Sequence, residues 1–135
     1  MSRSLAREQA FIFLYQISVQ QDDVEAQLER FQETLNLGEA DLTFFNTLVA
    51  GVRAHREALI EVIRPCLRRW AFERLPRIDQ TILELAAFEL LFGHDAPPNA
   101  VISEAVLLAR KYSGEEARSY VNGVLASILK QHAEN

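Results

Sequence analysis

The chain has 135 residues, 49% of them hydrophobic, with 14 Lys and Arg against 19 Asp and Glu for a net charge of −5, and a single cysteine, Cys66. That length buries about two thirds of the unfolded surface and supports one domain over residues 1–135, which excludes a multi-domain enzyme. One Cys makes no internal disulfide or CxxC pair, no secretory leader pattern is present, and the longest apolar run, Ala10 to Tyr15, is far short of the ~20 residues that cross a bilayer. A soluble cytoplasmic protein without membrane contact is expected.

Apolar residues recur at helical rather than strand spacing along the chain, which predicts an all-α fold. The first helix runs from Leu5 to Val19, with Leu5, Phe11, Leu14, Tyr15 and Ser18 on one side and Arg3, Arg7 and Glu8 at its entrance. Asp22 and Asp23 supply an N-cap and first-turn charge for a second helix through about Leu35, whose buried stripe is Val24, Leu28, Phe31 and Leu35. Its outer face is acidic: from Asp22 to Asp41 seven acids accompany one base, Arg30. Gly38 is expected to end that helix with a positive φ. A third helix opens at Glu39 and Asp41 and carries Leu42, Phe45, Leu48, Val49 and Val52, with Gly51 marking a close helix crossing or a bend. It continues through Leu59, Val62 and Ile63, and Pro65 predicts a kink or restart near Ile63 and Arg64.

From Arg53 to Arg77 seven arginines face three acids. Solvated helix faces are the bland reading of both charge blocks. An aromatic brought beside those arginines changes it, because a guanidinium binds phosphate bidentately and stacks on flat groups. Trp70, Phe72 and Leu75 supply bulk there, and Pro76 closes the segment. The next helix is Ile78 to Phe92, with Ile78, Ile82, Leu85, Ala86 and Leu90 in the core and Gly93 as its stop. Asp95 and Pro97-Pro98 start another, carrying Ile102, Ala105, Val106 and Ala109 to about Ser113-Gly114. Glu115 and Glu116 open the last, with Tyr120, Val121, Val124, Leu125 and Ile128.

Catalytic chemistry has little to work with. His55, His94 and His132 are far apart, and none stands four residues from another His or a Cys, so no metal site is expected. Cys66 beside Pro65 reads as a small packed hydrophobe. The five glycines are dispersed and form no phosphate loop. Neither an enzyme nor a cofactor is expected.

Three ordered stretches resemble the NusB family of bacterial transcription antitermination factors: Ala6-Arg7-Glu8-Gln9-Ala10 with Leu14-Tyr15-Gln16; Leu75-Pro76-Arg77-Ile78-Asp79 through Leu90; and Pro98 with Val101 to Val106, Ala109 to Tyr112 and Tyr120-Val121-Asn122-Gly123-Val124-Leu125. Gly51-Val52 adds a fourth match. The resemblance implies about seven helices in two packed halves. It also implies binding to the single-stranded boxA element of nascent ribosomal RNA, together with the ribosomal protein NusE, in the RNA polymerase antitermination complex.

By the same resemblance, RNA-facing positions fall on Arg3 and Arg7 at the first helix and on Tyr120, with Arg118 and Lys111 completing the patch, while Tyr15 and Asp79 match positions that contact NusE. Such a set suits single-stranded RNA, which is held by cations on its backbone and aromatics under splayed bases. Each residue has a plainer reading. Tyr120 is then a packed aromatic with its hydroxyl at the surface, and Arg7 with Glu8 a helix-start pair. Asp79 becomes a first-turn carboxylate serving its own helix, and Asn122-Gly123 a close helix contact with a buried Asn bond.

Only Arg3 and Arg7 precede Glu8, where many family members carry a longer arginine-rich arm, and Ser103 stands where the family has Asn. With net charge −5, weak RNA binding alone and tighter binding beside a basic partner are expected. Two other arrangements stay open. One is the amino-terminal domain of a ribosomal-RNA cytosine methyltransferase, disfavoured because no methyl-donor domain follows; the other is a helical protein-interaction module, or a homodimer that hides the RNA surface.

Overall fold

The computed structural model describes residues 3–93 and 96–133; His94, one of the three dispersed histidines, and Asp95, expected to start a helix, lie outside them. Six α-helices follow in order, α1 Arg3–Val19, α2 Val24–Glu33, α3 Glu39–Ile63, α4 Arg77–Phe92, α5 Pro98–Tyr112 and α6 Glu115–Ala133. Two 3-10 turns, Arg64–Cys66 and Phe72–Arg74, fill the link between α3 and α4, and there is no strand among the described residues. The all-α expectation holds, with these short turns where a seventh helix was anticipated. The chain forms two compact units, residues 1–50 and 51–135.

In the first unit the buried face of α1 is Ala6, Ala10, Phe13 and Leu14 with Phe11, a 3.6-residue stripe that leaves Leu5 42% exposed rather than in the core. Phe13 packs on Phe31 of α2 with ring centroids 5.2 Å apart, and Phe31 stacks on Phe45 of α3 at 5.9 Å. Asp23 caps α2 as expected, accepting a hydrogen bond from the Ala26 amide at 3.2 Å. It does so at φ 48°, a left-handed conformation that Asp tolerates better than most residues. Buried Gln27 secures the α1–α2 link: its side-chain amide donates to the Gln20 and Asp22 carbonyls, both at 2.8 Å, and its oxygen accepts from Gln16 at 2.9 Å. Helix α2 stops at Glu33 with Thr34 as its C-cap. Gly38 is therefore not the stop and has no positive φ; its carbonyl accepts the Leu42 amide and leads into α3.

In the second unit α5 and α6 form a hairpin and α4 packs on both, buried from Thr81 to Glu89. Leu59, Ile63, Ile82, Leu83, Val121, Leu125 and Ile128 make the fully buried core. Helix α3 runs unbroken through Gly51, whose role is close approach: a Cβ there would land on the Phe88 ring. That ring and Phe92 stack with His55, whose centroid lies 4.5 Å from Phe92. Pro65 ends α3 at Ile63, where a kink or restart was expected, and the chain restarts only as the first 3-10 turn before turning extended at Leu67. Gly114, at φ +148°, makes the α5–α6 turn that a side chain would strain. Arg56 donates to Glu84 at 3.2 Å, yet burial outweighs this cation and holds the Glu84 carboxyl above its ordinary pKa.

Candidate nucleic-acid interface

The seven residues singled out from the sequence divide between the units. Arg3, Arg7 and Tyr15 belong to the first; Asp79, Lys111, Arg118 and Tyr120 belong to the second.

Helix α1 has no acidic residue in its first turn, so two arginines sit at its positive end with no help from the helix dipole. The ring they lean on comes from α3. The Arg3 guanidinium lies 4.2 Å above the centre of the Phe44 ring and that of Arg7 lies 5.1 Å from it. Cation–π attraction of this kind contributes about 0.5–1 kcal/mol at exposed positions and more when desolvated. Arg3 is exposed, whereas Arg7 is buried, only 6% exposed. Phe44 falls off the apolar stripe on which its neighbour Phe45 sits, and that second aromatic in Thr43-Phe44-Phe45 is the signal that sequence reasoning passed over. Tyr15 is half-buried, its ring 6.5 Å from Phe11, and its carbonyl accepts the Ser18 hydroxyl at 2.6 Å.

On α6, one turn and a half in, the Tyr120 hydroxyl donates to Oδ2 of Asp79 in the first turn of α4. Asp79 is 2% exposed, and its Oδ1 has no hydrogen-bond partner among the described residues. Burial, reinforced by the hydrogen bond and the negative charge of Asp79, pushes the Tyr120 phenol well above its ordinary pKa. It stays a neutral donor. The plainer reading of Tyr120 is thus corrected, since its hydroxyl turns inward to a carboxylate while the residue remains partly exposed. Asp79 is the first-turn carboxylate envisaged for it, with a hydrogen bond to another helix in addition.

Lys111 and Arg118 flank the α5–α6 turn, both exposed. The Lys111 ammonium lies 5.4 Å from the Tyr112 ring. Arg118 pairs with Glu115 at 3.0 Å, and the other oxygen of that carboxylate is 3.9 Å from Arg110. Arg110 was missed in the sequence; its place beside Lys111 and five residues before Glu115 was the available signal. Exposed pairs of this kind contribute little and exchange readily for a phosphate. Asn122 and Gly123 are exposed, and nothing lies within 4 Å of where a Gly123 side chain would begin, so the expected buried Asn bond and close crossing are absent there. Asn122 instead borders an open groove with Asn99, Ser103 and Lys130. No cluster of three or more metal-ligating side chains occurs among the described residues, and no described helix is long and apolar enough to cross a membrane.

The NusB family model matches residues 4–130. The chain is 39% identical over 126 residues to the transcription antitermination protein NusB of Trichlorobacter lovleyi, covering 93% of this chain and 89% of that one. It is 37% identical over 131 residues to the NusB protein of Bacillus cereus, covering 95% and 97%. Among solved structures it resembles T. maritima NusB, with a TM-score of 0.89 and 30% identity over 98% of this chain and 94% of that one. It also resembles a crystal structure of antitermination factors NusB and NusE with double-stranded RNA, with a TM-score of 0.84 and 27% identity over 97% and 99%.

Proposed function

This chain belongs to the NusB family, and on that premise we propose that it is a transcription antitermination factor whose RNA-contacting residues are Arg3 and Arg7 in the first unit and Lys111, Arg118 and Tyr120 in the second. It binds boxA-type single-stranded RNA of nascent ribosomal transcripts together with NusE, in the antitermination complex of RNA polymerase. It works by binding rather than by catalysis, in the cytoplasm where transcription takes place. The observation that carries the surface is the Tyr120 hydroxyl held by buried Asp79. A ring fixed from behind by a carboxylate has already lost its rotamer freedom, so an unpaired base meets a ready platform. Arg118 and Lys111 stand at the same turn to take the flanking phosphates.

Tyr15 is the proposed NusE contact, a half-buried aromatic at the edge of an apolar stripe. Asp79, buried as it is, serves as a positioning residue for Tyr120. With net charge −5 and few phosphate contacts, the protein alone grips RNA weakly, and a basic partner supplies the missing charge. The test is binding of labelled boxA RNA at about 150–200 mM salt, where electrostatic contacts weaken markedly, with and without NusE. Weak binding alone, cooperative binding with NusE, and loss of that cooperativity in Tyr120→Ala are expected. Tight binding by the lone protein contradicts the charge argument, and no binding in either condition moves the function to protein contacts.

A further inference from the structure

Between the two 3-10 turns the chain makes a short excursion, Leu67 to Ala71, that carries the densest part of the arginine block. Its ends are fixed. Cys66 and Phe72 are buried on either side, Gln80 of α4 donates to the Phe72 and Leu75 carbonyls at 3.0 and 3.1 Å, and Arg64 grips Glu73 through both guanidinium nitrogens at 3.0 and 2.6 Å. Arg64 also holds Glu61 at 2.9 Å, so the two acids nearest the excursion are both tied to one arginine. What projects from this clamp is Arg68, Arg69 and Trp70. All three are exposed, Trp70 to 55%, and neither arginine has a hydrogen-bonding or ionic partner among the described residues.

An indole in water beside two unpaired guanidinium groups, on a loop whose ends are already pinned, has the composition of a stacking platform for single-stranded nucleic acid. We propose that residues 67–71 form a second single-stranded RNA contact, in which Trp70 stacks on an unpaired base and Arg68 and Arg69 take adjacent phosphates. The inference rests on the reading of the chain as an RNA-binding factor and adds a sequence-tolerant contact to it. Stacking recognises every base by its flat face, so this loop holds RNA without selecting it.

Trp70 is the sole tryptophan, so its emission reports on this loop alone. The experiment titrates the full chain at low salt with oligouridylate of about 12 nucleotides, a length within the span of one such platform. Trp70 emission and the anisotropy of a label on the RNA are followed together. Saturable quenching that tracks the anisotropy is expected. Trp70→Ala and the double variant R68A/R69A each weaken binding about tenfold while circular dichroism stays native. The double variant also lowers the slope of log affinity against log salt by about 1.4, as expected for two lost phosphate contacts on a single strand. Anisotropy that rises with Trp70 emission unchanged overturns the proposal and leaves the family function intact, as does boxA assembly with NusE in the absence of any oligouridylate binding. Equal quenching by poly-glutamate of matched charge also overturns it, assigning the loop to an acidic protein.

Discussion

Among the described residues, the Tyr120 hydroxyl alone donates to the Asp79 carboxylate, which is otherwise sealed from water. Removing it while keeping the ring separates the two roles of this side chain. Tyr120→Phe leaves Asp79 buried with neither oxygen satisfied, which costs about 1–3 kcal/mol of stability, read from the urea midpoint. It also frees the ring that Asp79 had fixed, so RNA affinity with NusE falls several-fold, though less than in Tyr120→Ala, because the stacking face is retained. Tyr120→Ala loses stability and affinity together. A phenylalanine variant as stable as the parent would show that the hydrogen bond contributes nothing. At this scale the sequence was legible only in part. Tyr120 and Asp79 were singled out separately, and their pairing was invisible because 41 residues and two helices separate them. Periodicity places a residue on a face of its own helix; it does not say which atom of another helix that face meets.

Helix boundaries were read more directly, since their causes are local. Asp23 as N-cap, Pro98 in the first turn of α5, and Gly93 and Gly114 just beyond helix ends stand where backbone chemistry requires such residues. Gly38 fails for an equally local reason, lying four residues beyond Thr34, which had already capped the helix, whereas Pro65 marks the break where one was expected, α3 ending at Ile63 and a 3-10 turn starting at Arg64. Gly51 was ambiguous between crossing and bend because both need a missing side chain, and only Phe88 across the gap decides it. The consequence runs against helix propensity. Gly→Ala in a helix interior ordinarily stabilises by up to about 1 kcal/mol, whereas Gly51→Ala must displace the Phe88 ring, which packs beside the stacked pair of His55 and Phe92. It destabilises by about 1–3 kcal/mol, a change of sign that calorimetry detects directly. Stabilisation by this variant would mean that the Phe88 ring moves freely.

For the molecule as a whole, charge was read in the sequence as blocks, and the fold shows what each is tied to. The arginine block is partly spent on its own acids, through Arg56 with Glu84 and Arg64 with Glu61 and Glu73, leaving Arg68, Arg69 and Arg74 without ionic partners among the described residues. Stability should fall at alkaline pH for a related reason. The unfolded chain gives up the Tyr120 proton near pH 10.0 while the folded chain keeps it. Above that pH the unfolded state therefore binds fewer protons, and stability that is fully present below it declines as pH rises. One of the three phenols accordingly stays un-ionised until the chain unfolds. A phenolate absorbance reaching its full three-tyrosine amplitude while far-UV circular dichroism is still native would contradict this. The link between α1 and α2 carries a different kind of consequence, in time rather than in energy. Gln27 engages both its N–H groups and its oxygen at once, with Gln16, Gln20 and Asp22, so turning its amide breaks all three contacts together. The stretch from Gln16 to Gln27 therefore opens as one unit, and its slowly exchanging backbone amides share a single rate instead of fraying inward from the loop.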